Sequence, residues 1–138
     1  MDSAIMFLFI SVVIIGIVLV IIINLTRKSP HALDKQHYQE QWLSIEQSVG
    51  TDNGSMQFAI VQADKLLDKA LKERGFAGQT MGERMKSAQK NMTNPDAVWA
   101  AHKIRNRIAH EDSMTVGRKQ TLQALQGLKR ALRDLGAL

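Results

Sequence analysis

An uncharged apolar run near the N-terminus is the feature that most constrains this fold. Residues 4–25 contain no charged side chain. As an α-helix, a run of this length extends about 33 Å, which is enough to cross the hydrocarbon core of a bilayer. A cleaved signal peptide has a positive N-terminal region and a shorter apolar run, whereas Asp2 precedes this one. The sequence therefore predicts a retained transmembrane anchor over residues 1–26.

The distribution of charge predicts how the anchor is oriented. All 18 lysine and arginine residues follow the run, beginning with Arg27 and Lys28. The positive-inside rule then places the N-terminus outside and the rest of the chain in the cytoplasm, as a single-pass protein of the cell membrane. The part after the anchor carries a net charge of +6, because Asp2 is the one acidic residue before it. This charge suits both anionic lipid headgroups and RNA, so charge alone leaves both open.

The rest of the chain is predicted to form one domain, and its composition excludes several kinds of chemistry. The chain has no cysteine, which excludes a disulfide framework, cysteine zinc sites, iron–sulfur clusters and thiol nucleophiles. Residues 27–33, which include Pro30, are a short juxtamembrane linker. Residues 34–138 are the cytoplasmic domain, which is long enough for one hydrophobic core and too short for two.

Apolar periodicity and capping residues predict five helices after the linker and no strand. The predicted helices cover residues 34–49, residues 55–74, a segment that follows the Thr80–Glu83 capping box, residues 95–110 behind the N-cap Asn94, and a segment capped by Thr115 that ends at residue 135. Because the connections are short, neighbouring helices should be antiparallel. The expected fold class is all-α, a transmembrane helix followed by a four- to five-helix up-down bundle. The second to fifth predicted helices form this bundle, and the first leads in from the membrane.

Apolar stripes identify the expected core. The stripe of the third predicted helix consists of Met81, Met85, Ala88 and Met92. The fifth predicted helix has a leucine stripe, which consists of Leu122, Leu125, Leu128, Leu132 and Leu135. Spacings of three and four residues place each set on one face of its helix.

The fourth predicted helix has two faces that need cover. At 100° per residue, one narrow apolar face is the expected core side, formed by Ala97, Ala101, Ile104 and Ile108. A second stripe combines an aromatic residue with polar side chains, namely Trp99, His102, Arg105, Asn106 and His110. Such polar groups are costly to bury without partners. We therefore expect them to hydrogen-bond within the bundle or to line a cleft or a dimer interface.

A short motif on this helix resembles a known family. Arg105 and Asn106 are followed, after three residues, by His110, on the penultimate helix of a small predicted bundle. The pattern resembles the signature of HEPN domains (higher eukaryote and prokaryote nucleotide-binding), and the resemblance covers residues 55–135. The chain also resembles small membrane-anchored bacterial proteins of unassigned function, which share stretches such as AIVQADKLLDKAL and VWAAHKIRNRIAHE.

The HEPN resemblance implies an activity and a set of roles. Active HEPN proteins are metal-independent ribonucleases that dimerise, so that two motifs form one site. By this resemblance, His110 would be the general acid or base for attack of an RNA 2′-OH on the adjacent phosphate. Arg105 would stabilise the charge that develops there, and Asn106 would orient His110. Lys103 and Arg107 would contact RNA phosphates, and the fourth predicted helix would form a homodimer.

The same residues also fit a structural role. A protonated His110 near a helix C-terminus interacts favourably with the helix dipole. Arg105 could pair with Glu111, with Asp112 or with an acidic residue of another helix. Many HEPN domains are non-catalytic, so the alternative function is a membrane-anchored adaptor that binds a partner protein. A ribonuclease requires Arg105 and His110 to be accessible in a shared basic cleft, whereas an adaptor predicts that both are buried and satisfied.

His102 is a secondary site candidate, eight residues before His110 and on a similar face. No carboxylate lies between these two histidines at the spacing of metal ligands, and His110 and Glu111 do not belong to a His-Glu-x-x-His motif. We therefore predict no metal and no cofactor, and the sequence identifies no small-molecule substrate.

Overall fold

The computed structural model describes residues 2–26 and 32–138, and every regular element in that part of the chain is helical. The helices are α1 (Ser3–Thr26), α2 (Lys35–Ser48), α3 (Asn53–Glu73), α4 (Met81–Ala88), α5 (Pro95–His110) and α6 (Arg118–Asp134). A single turn of 3-10 helix, Gln89–Asn91, continues α4. The all-α fold class is therefore confirmed.

The N-terminal apolar run forms one continuous helix. In α1, the segment Ser3–Ile23 has a mean hydropathy of 3.5, and none of it is buried against the rest of the protein. It is therefore long and apolar enough to span a membrane. Of the predicted linker, residues 27–31 lie outside the described part of the chain.

Most helices begin where the sequence predicts, because a nearby side chain caps the helix start. The side chains of Asp34 and Asn94 accept hydrogen bonds from the third residue of α2 and α5, and Thr80 forms the expected capping box with Glu83. Two starts were predicted wrongly. Helix α3 begins at Asn53, because Asp52 is its N-cap and accepts a hydrogen bond from the Ser55 backbone.

The second wrong start concerns α6. This helix begins at Arg118 behind Gly117, which provides no side-chain cap, so Thr115 is not its N-cap. Instead, Thr115 is an exposed residue of the connection between α5 and α6, between buried Met114 and buried Val116. The two apolar neighbours pack into the core and hold this connection extended against the bundle.

The bundle consists of α2, α3, α5 and α6, with α4 as a short helix packed on α3. The prediction that the first helix after the linker only leads into the bundle is thus wrong, because α2 is a full member of the bundle. It buries Tyr38, Trp42 and Ile45 against the central helix α3. The third predicted helix is only eight residues long, and Met92 is buried in the turn that follows it.

The predicted apolar stripes of α5 and α6 are confirmed in part. On α6, Leu125, Leu128 and Leu132 are buried, but Leu122 is 48% exposed. Thr121 faces the core instead, and residue 122 lies about 100° further around the helix. On α5, the core residues are Val98 and Ala101, while Ala97, Ile104 and Ile108 are only partly buried.

The order of the helices places the start of α2 and the C-terminus of α5 at opposite ends of the bundle. At one end, the Tyr38 hydroxyl near the start of α2 donates to a Glu73 carboxylate oxygen at the end of α3, with an O–O distance of 2.7 Å. At the other end, Asn53 at the start of α3 bonds to the backbone of Met114 and Val116, just after α5. The C-terminus of α5, with His110, is therefore at the end opposite the one where the chain enters from α1.

Candidate functional site

An open groove of about 990 Å³ lies between α3, α4 and α5. Helix α5 contributes Trp99, His102, Lys103 and Asn106, whose spacings of three and four residues place them on one face. The facing wall is the side of α3 that carries Asp64, Lys65, Asp68 and Lys72. The start of α4, from Thr80 to Arg84, closes one side.

Asp64 is the central group of this groove. Its side chain is only 3% exposed, and its Oδ1 lies 3.0 Å from Nδ1 of His102. An ionised carboxylate can only accept a hydrogen bond, so Nδ1 of His102 carries the hydrogen. The second oxygen, Oδ2, lies 3.5 Å from Nε of Arg105. One buried carboxylate thus holds two polar side chains of α5 and ties that helix to α3.

Sequence reasoning missed Asp64, although the sequence does contain a signal. Its neighbours at helical spacing are Ile60, Ala63, Leu67 and Leu71, all of which are fully buried. A charged residue on the same helix face as these buried apolar residues must find a partner inside the fold, because an unpaired buried carboxylate is costly. The matching stripe of unpaired polar residues on α5 supplies that partner.

A second carboxylate in the groove is neutralised by two cations. Asp68 Oδ1 accepts hydrogen bonds from Nε and Nη2 of Arg84, at 2.8 Å each, and its Oδ2 lies 2.9 Å from Nζ of Lys72. Partial burial alone would raise the pKa of the Asp68 carboxyl, but the hydrogen bonds from Lys72 and Arg84 outweigh it and lower that pKa below its ordinary value. Arg84 also donates to the Gly78 carbonyl, which fixes the loop before α4.

The structure separates the six residues that the sequence singled out. It brings His102, Lys103, Arg105 and Asn106 together along the groove, where Nη1 of Arg105 donates to Oδ1 of Asn106 at 3.1 Å. It leaves two outside. Arg107 is exposed and forms a two-point contact with Glu111 at 3.0 and 3.1 Å, which lowers the pKa of Glu111.

His110 is the other residue outside the groove. It is exposed in the last turn of α5, and it forms no hydrogen bond or ion pair within residues 2–26 and 32–138. The predicted contact between Asn106 and His110 is not formed, since Asn106 is bonded to Arg105 instead. Arg105 pairs with an acidic residue of another helix, which is one of the three structural alternatives, yet 40% of its side chain stays exposed.

The groove has an excess of positive charge. Its lining contains five lysine and arginine side chains and two aspartates, an excess of three positive charges with His102 neutral. Trp99 provides the aromatic surface, with its ring edge-on to His102 at 6.2 Å between centroids. Within the described ranges, no three histidine, aspartate or glutamate side chains lie close enough to hold a metal ion.

Comparison with models of known protein families, with curated proteins and with solved structures finds no match for this chain. The candidate site therefore has to be interpreted from its own geometry.

Proposed function

We propose that this protein is a membrane-tethered, HEPN-like RNA-binding module that cleaves RNA without a metal, through Arg105, Asn106 and His110. One observation carries the proposal. Arg105 is oriented by buried Asp64 but remains 40% exposed, and His110 further along the same helix is exposed. A purely structural arginine–histidine pair gains most when it is buried and bonded within the fold, and His110 is neither.

The chemistry assigned to these groups follows from their types. The attacking group is a ribose 2′-OH, which forms a bond to the adjacent phosphorus while the bond from phosphorus to the 5′-oxygen breaks. His110 is suited to move the proton, because imidazole titrates near neutral pH. Arg105 is suited to stabilise the added negative charge on the phosphate oxygens, since its guanidinium is a fixed, multi-point donor. The products are a 2′,3′-cyclic phosphate and a 5′-hydroxyl.

The geometry of α5 favours a site shared between two copies. Arg105 and His110 are five residues apart, so they diverge by about 140° around the helix and by about 7.5 Å along it. A single copy thus directs the two groups to different sides. Two α5 helices packed against each other place Arg105 of one copy near His110 of the other, which is the homodimer that the proposal requires.

The tether is proposed to be α1, with the N-terminus outside and the bundle in the cytoplasm. The apolar length of α1 and the absence of lysine and arginine before residue 27 support this orientation. Because His110 lies at the bundle end opposite the one that the chain enters from α1, the motif faces away from the membrane, where long RNA can reach it.

A cleavage assay with the full chain tests the activity. The protein in detergent micelles is incubated with mixed single-stranded RNA in EDTA, beside the His110→Ala and Arg105→Ala variants. We expect cleavage by the wild type, product ends with a 2′,3′-cyclic phosphate, and a loss of about 100-fold or more in each variant. Since His110 is exposed and unbonded, its replacement leaves the fold intact.

The matched control replaces an exposed arginine on another helix. Arg130→Ala, on α6, removes the same charge as Arg105→Ala without touching the motif. Cleavage that persists in His110→Ala, or that Arg130→Ala abolishes as completely, would refute the assignment. Intact RNA after incubation with folded, dimeric wild type would refute the enzyme altogether.

The adaptor is the second candidate, and one observation favours it. Arg105 already has two partners inside the chain, Asp64 and Asn106, as a structural arginine would. In this function α5 binds a partner protein at the membrane, and His110→Ala leaves that binding unchanged. Failure of the cleavage assay with a folded dimer is the result that favours the adaptor.

A further inference from the structure

Two lysines beside the contact between Asp64 and His102 have no partner in the described part of the chain. Lys65 follows Asp64 on α3, and Lys103 follows His102 on α5. Because Asp64 and His102 are in contact at 3.0 Å, the two lysines stand on the walls of the groove on either side of that contact. Both are exposed, and neither forms an ion pair within residues 32–138. Their charges are thus available to a ligand.

The carboxylates of the groove do not compete for these lysines. Asp68 is saturated by Arg84 and Lys72, and Asp64 by His102 and Arg105. Each carboxylate therefore has two partners of its own. Arg105 balances the charge of Asp64, and one of the two cations beside Asp68 balances that carboxylate. The excess of three positive charges is therefore that of the two lysines and of the second cation beside Asp68.

His102 adds a directed hydrogen-bonding atom. Its Nδ1 is bonded to Asp64, its ring lines the groove and is 12% exposed, and Nε2 has no partner among the described residues. A carboxylate on the far side of an imidazole fixes the orientation of the ring and its tautomer. With the hydrogen on Nδ1, Nε2 is an acceptor, so it can accept a hydrogen bond from a hydroxyl of a ligand in the groove.

We propose that the groove between α3, α4 and α5 is a phosphate-binding site, in which Lys65 and Lys103 supply positive charge, the exposed part of Arg105 supplies hydrogen-bond donors, and the Asp64-oriented His102 presents Nε2 as an acceptor for a hydroxyl of the ligand. A phosphate fits better than a carboxylate, because it offers oxygens in several directions to donors that come from two facing helices. Trp99 also lines the groove, and a nucleoside attached to that phosphate can pack against its indole ring.

This site shares Arg105 with the motif of the proposed cleavage, but it requires neither His110 nor a second copy of the chain. The phosphate can belong to a free mononucleotide or to an RNA strand, and the titration below distinguishes these two sources.

The test uses the full chain in maltoside micelles with both tryptophans replaced by 5-fluorotryptophan. The chain has two tryptophans, so the fluorine NMR spectrum has two signals, which Trp42→Phe assigns. Trp42 lies in a different groove, between α2 and α6, and is the internal control. Pyrophosphate, adenosine 5′-monophosphate and a hexauridylate without terminal phosphates are titrated separately. We expect the Trp99 signal to shift with saturation while the Trp42 signal stays in place.

Lys65→Gln and Lys103→Gln are each expected to weaken binding about tenfold, the loss of one charge-assisted contact. The matched control is Lys119→Gln, an exposed lysine of α6 outside the groove, which should bind as the wild type does. Saturation by the monophosphate but not by the hexauridylate assigns the site to free nucleotides, and the reverse assigns it to RNA. An unmoved Trp99 signal with all three probes overturns the inference, as does an equal loss in Lys119→Gln. Neither result bears on RNA cleavage, which is measured in its own assay.

Discussion

Gly127 sets how closely α6 approaches the helix that carries the motif. A Cβ at this position would lie 3.1 Å from the Ala97 carbonyl oxygen and 3.2 Å from the Ala97 Cβ. Both are closer than ordinary van der Waals contact, and the oxygen belongs to backbone that cannot rotate away. Gly127→Ala must therefore push α5 and α6 apart. This displacement would move the segment that positions Trp99 and His102.

Two opposing effects determine how Gly127→Ala changes the free energy of unfolding. Overpacking in a well-packed interior costs about 1–3 kcal/mol, while replacing glycine by alanine inside a helix gains about 1 kcal/mol. We expect a net loss of up to about 2 kcal/mol, since the first effect outweighs the second. For a domain near this size, each kcal/mol lowers Tm by roughly 4–8 °C.

Gly82→Ala is the matched control. This glycine is also helical, in the first turn of α4, but a Cβ there would lie 3.6 Å from the Trp99 ring, an ordinary contact. It should leave Tm unchanged or raise it. The assay is thermal unfolding of the full chain in micelles followed by tryptophan fluorescence, which reports on the bundle because both tryptophans lie in it. If Gly127→Ala proves as stable as Gly82→Ala, the close approach of α6 to α5 is wrong.

Three further predictions follow from single contacts. Asp64→Asn removes the charge beneath Arg105 and should cost about 1.5–3 kcal/mol, seen as a lower Tm; an unchanged Tm would contradict the tie between α3 and α5. The lowered pKa of Asp68 means that its contribution to stability is complete above pH 3.8 and is lost as the pH falls through the folded-state pKa. The stability difference between wild type and Asp68→Asn should therefore stay constant above pH 3.8 and shrink as the pH falls below it, in urea titrations. Because the chain lacks cysteine, Asp2→Cys should react with an impermeant maleimide on intact cells and Ser113→Cys should not; the opposite pattern would reverse the proposed orientation.

The sequence predicts the helices well where their signals are local. The apolar length of α1 and the caps at Asn94 and Thr80 depend on residues a few positions apart. The start of α6 could not be found this way. Gly117 has no capping side chain, and the helix start there is set by Met114 and Val116 packing into the core.

The candidate site was predictable only in part, because its central contact joins residues 38 positions apart in the chain. The stripe on α5 correctly indicated polar groups that need partners. The partner, Asp64, can be recognised only as a charged residue among the buried apolar positions of α3. The pairing of Asp68 with Arg84 is equally non-local, since it depends on where the loop before α4 turns back onto α3.

The buried carboxylate of Asp64 explains why the motif residues behave differently from one another. It fixes His102 and Arg105 against α3, whereas His110 lies one turn beyond Asn106, at the end of α5 and outside the groove lining. His110 is then left exposed, five residues beyond Arg105, at the end of the bundle away from α1. A single chain therefore has the proposed phosphate-binding groove with Arg105 and Asn106, and an exposed histidine outside it. In the proposed dimer, a second copy of α5 brings the two parts of the motif to one phosphate. For this reason cleavage should depend on protein concentration, whereas phosphate binding in the groove should not.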